Sequence, residues 1–159
     1  MEHKKLSLYL KAAGIIAGIG GAIVFFLYAP IMAMDCRRVY PELAFLFWPG
    51  LIFVWCLGGV YAAALWQYML ICHRIGKNRS FCLENARSMA VISRLFFLAG
   101  GMSFLCMGAW MVSAWDLGPG WLALLLVSMA SAAVGVLAWA LGRLLQRAVS
   151  LQEENDLTI

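Results

Sequence analysis

The chain has 159 residues, of which 64% are hydrophobic and only 13% are charged. A soluble domain of this size could not bury so much apolar surface, so the composition excludes a soluble globular protein and predicts a membrane protein. The formal net charge of +4 fits basic residues that flank membrane spans and meet lipid headgroups. We therefore expect the lipid bilayer as a partner and no direct binding of nucleic acid.

Four apolar segments are long enough to cross a bilayer, which takes about 20 helical residues. The first follows a basic N-terminus, but it is longer than the apolar core of a signal peptide, which favours a spanning helix. The predicted spans are residues 12–33, 43–72, 95–115 and 121–141. The sequence thus predicts an all-α membrane protein, with residues 1–159 forming one domain, a four-helix transmembrane bundle.

Small residues recur at helical spacing within these spans, as at Gly14 and Gly18 in the first. In lipid, small residues allow helix backbones to approach closely. We expect most of these positions to serve packing within the bundle. Contact between copies in a homo-oligomer is the alternative use, and the pattern does not choose between them.

The segment of residues 73–94, between the second and third spans, is the longest polar stretch between apolar segments. Basic residues are strongly asymmetric about the predicted spans, and they mark the cytoplasmic side. Only Arg37 and Arg38 lie on one side, whereas the other side carries ten: Lys4, Lys5, Lys11, Arg74, Lys77, Arg79, Arg87, Arg94, Arg143 and Arg147. This asymmetry predicts that both termini, the loop 73–94 and the tail 143–159 are cytoplasmic.

We expect cytoplasmic helical extensions of the bundle in the loop. Gly76 is a plausible end for the second helix, and Ser80 or Cys82 would precede a helix that carries Glu84 in its first turns. The spacing predicts an amphipathic stem that leads into the third span. Its outer stripe would contain Glu84, Arg87, Ser88 and Arg94, and its inner stripe Leu83, Ala86, Ala90 and Phe97.

The tail repeats this pattern after the fourth span. Apolar positions recur at helical spacing among charged ones, which predicts a second amphipathic extension. The predicted inner positions are Leu144, Leu145, Ala148, Val149 and Leu151, and the outer ones are Arg143, Arg147 and Glu154. Together the two extensions would form a compact cytoplasmic platform.

The chemistry-bearing residues are sparse. No predicted span has an ionisable residue at its centre, which argues against a proton-coupled pump or carrier. Cys72, His73 and Cys82 match no zinc spacing, and histidine is too scarce for base-assisted catalysis. We therefore expect no metal, no cofactor and no enzymatic activity. A redox role for Cys72 and Cys82 is a further hypothesis, which we rank below binding of a cytoplasmic partner and binding of an apolar ligand.

Two motifs resemble those of the DUF2975 family of small bacterial membrane proteins. They are Gly76-Lys77-Asn78-Arg79-Ser80-Phe81 followed by Glu84-Asn85-Ala86, and the terminal Glu153-Glu154-Asn155-Asp156-Leu157-Thr158-Ile159. Cys82 stands where a polar capping residue is expected. The resemblance implies a four-span protein of the bacterial cytoplasmic membrane. Because relatives are often encoded beside a small helix-turn-helix regulator, it also implies such a regulator as a cytoplasmic partner.

On this interpretation the protein is a regulatory or scaffold protein, and the motif residues contact the partner. The candidate contacts are Gly76, Phe81, Glu84, Asn85, Arg87, Glu153, Glu154 and Asp156. A structural alternative is that Asn85 and the tail acids bond basic residues of the loop and hold the platform together. A different functional class, binding or transport of an apolar small molecule or lipid between the spans, is favoured by Met102, Met107 and Met111.

Overall fold

The computed structural model describes residues 2–77, 82–112 and 120–156, and within these ranges the chain is helical and contains no strand. Four of its helical segments are long and apolar enough to cross a membrane, which confirms the predicted number of spans. The α-helices are α1 (Glu2–Ile23), α2 (Ala29–Val39), α3 (Phe47–Gly76), α4 (Leu83–Val112) and α5 (Gly120–Asp156). A π-helical turn (Val24–Tyr28) joins α1 to α2, and a 3-10 helix (Pro41–Leu46) precedes α3.

The first spanning segment is longer than predicted. Helical structure continues through α1, the π-helical turn and α2 to Val39, so most of the expected polar link at 34–42 is helical. Asp35 and Arg38, one turn apart, approach to 3.8 Å on the exposed surface of this end. The N–H of Tyr40 then donates to the carbonyl of Cys36 at 2.8 Å, which closes the last turn.

Pro30 explains the π-helical turn. The N–H of Ala29 bonds to the carbonyl of Val24, five residues back, and the next donor in that pattern would belong to residue 30. Proline has no N–H, so the carbonyl of Phe25 loses this partner. The indole N–H of Trp55 in α3 donates to it at 3.3 Å. The irregular turn is therefore supported by the neighbouring helix.

Glycines of α1 receive aromatic side chains of α3. A Cβ added at Gly21 would overlap the ring of Tyr61, and one at Gly14 would lie 2.9 Å from the ring of Tyr68. The hydroxyl of Tyr61 donates to the carbonyl of Ala17 at 2.9 Å, and that of Tyr68 donates to Leu10 at 3.1 Å. Gly14, Gly18 and Gly21 thus pack against α3, which is the use predicted for Gly14 and Gly18.

The α4–α5 pair is the most extensive contact, and small residues line it. The hydroxyl of Ser93 donates to the carbonyl of Gly135 at 2.8 Å, and two turns away the hydroxyl of Ser128 donates to Gly100 at 3.1 Å. These bonds cross the interface in opposite directions, which holds two antiparallel helices in one register. Close backbone approach and interhelical hydrogen bonds are the forces that associate helices in lipid.

The helices are arranged as an open row. In the described part of the chain, α1 packs on α3, α3 on α4, and α4 on α5, while α1 makes no close backbone approach to α4 or α5. The first and last spans of the bundle therefore do not meet through close backbone contact in the described residues. Large apolar side chains such as Leu105 and Leu126 are exposed on its outside, as a lipid environment requires.

The predicted stripes of the stem need correction. Ser88, predicted outside, is buried, whereas Leu83, predicted inside, is exposed. Phe97, also predicted inside, is 45% exposed, but its ring lies 3.4 Å from a Cβ built at Gly135 of α5. Ala86 is buried and Ala90 half-buried, as expected. The reason is that α4 has two neighbours: Ser88 accepts a hydrogen bond from Arg74 of α3, whereas the backbone at Ala86 approaches Gly142 of α5. Close backbone approach of this kind favours small residues in the interface.

The tail shows the same combination of agreement and error. The helical extension is confirmed, since α5 continues to Asp156. Val149 is buried and Leu145 and Ala148 are half-buried, whereas Arg143, Arg147 and Glu154 are exposed, as predicted. Leu144 and Leu151, predicted inside, are each 61% exposed. They lie two turns apart on the face opposite Val149, so α4 cannot cover them.

Candidate functional site

Arg74, in the last turn of α3, joins that helix to the first turns of α4. Its Nη1 donates to the hydroxyl of Ser88 at 2.9 Å and to the carbonyl of Glu84 at 3.3 Å. It also lies 3.5 Å from the side-chain oxygen of Asn85, and its Nε lies 3.3 Å from the Glu84 carboxylate. A planar guanidinium can serve these acceptors together because its donors are held in a fixed fork.

The acceptors around Arg74 include two of the predicted partner contacts. Asn85 is 1% exposed and Glu84 faces outward beside it. A buried amide and a paired carboxylate stabilise the junction of α3 with α4. The structural alternative predicted contact with a basic loop residue for Asn85, whereas the pairing of Glu84 with Arg74 was not predicted. The sequence did not identify Arg74 as the common partner of Glu84 and Asn85, because the loop carries five basic residues that could have filled this role.

Gly76 is also engaged within the molecule. The hydroxyl of Ser7 in α1 donates to the carbonyl of Cys72 at 2.9 Å, and a Cβ at Gly76 would lie 2.6 Å from the same Ser7 oxygen. A side chain at position 76 would therefore push α1 away from α3. Gly76 is the last residue of α3, close to the end that the sequence predicted. Ser7 was not among the predicted residues.

The remaining predicted contacts are more dispersed. Arg87 is exposed on α4, and Glu154 is exposed near the end of α5. Phe81 lies outside the described residues, as do the side chains of Glu153 and Asp156. Cys82 directly precedes α4, and its carbonyl accepts the N–H of Asn85 at 3.0 Å, so it occupies the helix-start position that was expected for a polar residue.

The cysteines and potential metal ligands show no assembled site in the described ranges. The five cysteines are free thiols, with Cys72 buried and Cys82 half-buried. Within residues 2–77, 82–112 and 120–156, no three of the His, Cys, Asp and Glu side chains group closely enough to hold a metal ion. The redox hypothesis for Cys72 and Cys82 stays a prediction.

One row of apolar side chains on α5 remains exposed. Leu137, Leu144 and Leu151 lie two turns apart on one outward face of α5 and are all exposed; we call them the leucine stripe. Leu137 falls within the predicted fourth span, where lipid would cover it. Arg143, beside Leu144, stacks 5.7 Å from the ring of Trp139, an aromatic–basic pair typical of the membrane–water interface. Leu144 and Leu151 lie after residue 141, where the sequence predicts that the fourth span ends.

The four apolar helices and the exposed apolar exterior define the class as a multi-pass membrane protein. The chain belongs to the DUF2975 family, described as proteins of unknown function, whose family model matches residues 31–159. It is 26% identical to the uncharacterized membrane protein YoaS of Bacillus subtilis (strain 168), over 99% of both chains. No solved structure matches it. The resemblance of the two sequence motifs is thereby confirmed.

Proposed function

We propose that the protein is a non-enzymatic membrane scaffold that docks a soluble cytoplasmic protein on the projecting end of α5. The observation that carries this proposal is the exposure of Leu144 and Leu151, each 61%, at positions beyond the predicted span. Apolar side chains exposed to water on a helix face are typical of sites where a second protein binds.

The length of α5 supports a projecting end. Its 37 residues extend about 55 Å at 1.5 Å per residue, whereas the hydrocarbon core of a bilayer is about 30 Å thick. The excess falls after Arg143, because the apolar run ends there. The asymmetry of basic residues supports a cytoplasmic location for this end and for both termini.

The site that we propose differs from the predicted set. Glu84, Asn85 and Gly76 hold the helices together, so we assign them a supporting role. The docking surface would consist of Leu144 and Leu151, with Glu154 and the other tail acids at its end. A helix-turn-helix regulator, the partner that the family resemblance implies, is the first partner to test.

Site-specific photo-crosslinking in native cells tests this proposal. A photoreactive phenylalanine analogue placed singly at Leu144 or Leu151 is expected to form an adduct with one soluble protein, identified by mass spectrometry. The same probe at Leu137, on the same stripe but within the span, is the matched control and is expected to label lipid alone. A chain cut after Ser150 is expected to lose the adduct at Leu144.

Lipid adducts alone at all three positions would refute docking on this surface. A soluble adduct that is equally strong at Leu137 would also refute it, because it would reflect non-specific labelling. If a regulator is captured, its release from DNA by the intact chain, and not by the cut chain, is the expected functional consequence.

The alternative function, binding of an apolar molecule between the spans, remains a prediction. Met102 and Met107 are half-buried, but Met111 is 68% exposed. This open row of helices supplies no observation that favours an enclosed apolar site over lipid contact.

A further inference from the structure

An open groove lies between the first turns of α1 and the last turns of α3, with a volume of about 320 Å³. Ser7 and Lys11 are one turn apart in α1, and His73 lies in the last turn of α3, which Lys77 directly follows. Among the described residues, the lining consists of Ser7, Leu8, Lys11, His73, Gly76 and Lys77.

The lining residues that the structure describes carry basic groups and no acid. Lys11, His73 and Lys77 face the same space from two helices. Like-charged residues placed together repel one another, so an arrangement of this kind is favourable when an anion occupies the space. The partial negative charge at the end of α3 explains His73 and Lys77. It does not explain Lys11, which lies well inside α1.

Arg74, the other basic residue in this turn, does not belong to the groove. Its guanidinium is held by Glu84 and Ser88 of α4. The carboxylate of Glu84 is thus paired with Arg74. The charge of the groove is left without a carboxylate among its lining residues.

The shape of the groove depends on Gly76 and Ser7. Because Gly76 has no side chain, the two helices approach closely at its floor, where the Ser7 hydroxyl bonds to Cys72. Leu8 lines the groove and is 67% exposed. A groove with cationic groups and an exposed apolar residue beside them matches an amphiphile that has an anionic head and an apolar chain.

We propose that this groove binds the phosphate group of an anionic ligand, with Lys11 and Lys77 as its principal cations and a phospholipid headgroup as its main source. Basic pockets between spanning helices near the cytoplasmic surface are suited to such headgroups. Leu8 would then contact the first carbons of an acyl chain. The groove shares no residue with the leucine stripe, so its test is independent of the docking proposal.

Native mass spectrometry of the purified full chain tests this inference. In mixed micelles with phosphatidylglycerol and phosphatidylcholine, the wild type is expected to retain phosphatidylglycerol preferentially. The double variant Lys11→Gln/Lys77→Gln is expected to bind it about 30-fold more weakly, from roughly 1 kcal/mol for each basic residue. Lys11→Arg/Lys77→Arg is expected to keep binding, which separates loss of charge from misfolding.

The matched control is Arg94→Gln/Arg147→Gln, which removes two exposed charges outside the groove. Its binding is expected to be unchanged. An equal loss of binding in both glutamine variants would overturn the proposal, because it would mean a general attraction of anions to the basic surface. The absence of a preference for phosphatidylglycerol in the wild type would also overturn it, because the groove would then not select an anionic lipid.

A second arm identifies the source of the phosphate. Glycerol 3-phosphate is added at millimolar concentration to protein in phosphatidylcholine alone, and thermal stability is recorded. No stabilisation, together with retained phosphatidylglycerol, supports the lipid source. Stabilisation that the Lys11→Gln/Lys77→Gln variant loses supports the anion site with a soluble source. Stabilisation that both glutamine double variants retain would overturn the assignment to this groove.

Discussion

Single residues decide how α3 is joined to α4. Arg74 reaches the hydroxyl of Ser88, the backbone of Glu84 and the buried amide of Asn85 from one side chain. An ammonium group on a flexible stem is a compact point charge and cannot reproduce the fork of a guanidinium. The identity of the cation at position 74, and not only its charge, therefore matters for the junction.

Replacement of Arg74 by lysine is expected to destabilise the protein by about 1–2 kcal/mol, because hydrogen bonds to charged groups contribute about 1.5–3 kcal/mol and the site is partly exposed. Thermal unfolding in detergent, followed by circular dichroism, measures the effect. Arg87→Lys, on the exposed face of α4, is the control and should shift stability by less than about 0.5 kcal/mol. Equal shifts in both variants would contradict the role of Arg74.

Pairs of elements are held by two different kinds of interface. In the α1–α3 pair, tyrosine rings pack against glycines, and the tyrosine hydroxyls donate hydrogen bonds to backbone carbonyls. The α4–α5 pair instead brings two backbones together through glycine and serine. Because lipid gives helices no hydrophobic reason to associate, the polar bonds and close contacts have to supply the stability.

Adjacent glycines of α4 provide a direct test of the second interface. A Cβ at Gly100 would lie 3.3 Å from the backbone oxygen of Ser128 and 3.4 Å from Ser131, whereas nothing lies within 4 Å of a Cβ at Gly101. Gly100→Val is therefore expected to destabilise the pair by about 1–3 kcal/mol, the range for overpacking. Gly101→Val is the control, because it places the same residue type in the same helix, and it should leave the stability of the pair nearly unchanged.

Unfolding in detergent by heat or denaturant compares the two variants. Crosslinking of cysteines introduced on α4 and α5 adds a readout of the distance between the helices, which should increase only for Gly100→Val. If Gly101→Val proved equally destabilising, helix propensity would explain both losses, and close packing at Gly100 would be refuted.

For the whole molecule, the arrangement in the membrane is the property on which both proposals depend. Basic residues favour a cytoplasmic location for the groove, the Arg74 junction and the end of α5 together. The opposite side would then hold the end of α2, with Arg37 and Arg38, the turn that leads into α3, and the link between α4 and α5. The orientation can be measured with cysteines that the chain already contains.

Cys36 lies exposed at the end of α2, and Cys82 lies half-buried before α4. In single-cysteine variants, a membrane-impermeant maleimide is expected to label Cys36 in intact cells. Cys82 should be labelled only after the membrane is permeabilised, and Cys56, exposed within a span, should resist the aqueous reagent in both conditions. Labelling of Cys82 but not Cys36 in intact cells would reverse the orientation and remove the basis for a cytoplasmic partner.

Several features followed from the sequence alone. Length and apolarity determine four spans because a helix must cover the hydrocarbon to satisfy its backbone. Local chemistry also indicated the end of α3 near Gly76, the start of α4 after Cys82 and the helical tail. These properties depend on residues that are close along the chain, so the order of the residues is sufficient to predict them.

Only the tertiary structure decided which faces meet. In lipid an apolar side chain is as stable outside as inside, so hydrophobicity could not show that Leu144 faces outward while Ser88 is buried. The partner of Asn85 also depends on where α3 ends relative to α4, and five basic residues competed for that role. The open row and the groove between α1 and α3 arise from the same cause, because they are set by distances between helices that no local pattern encodes.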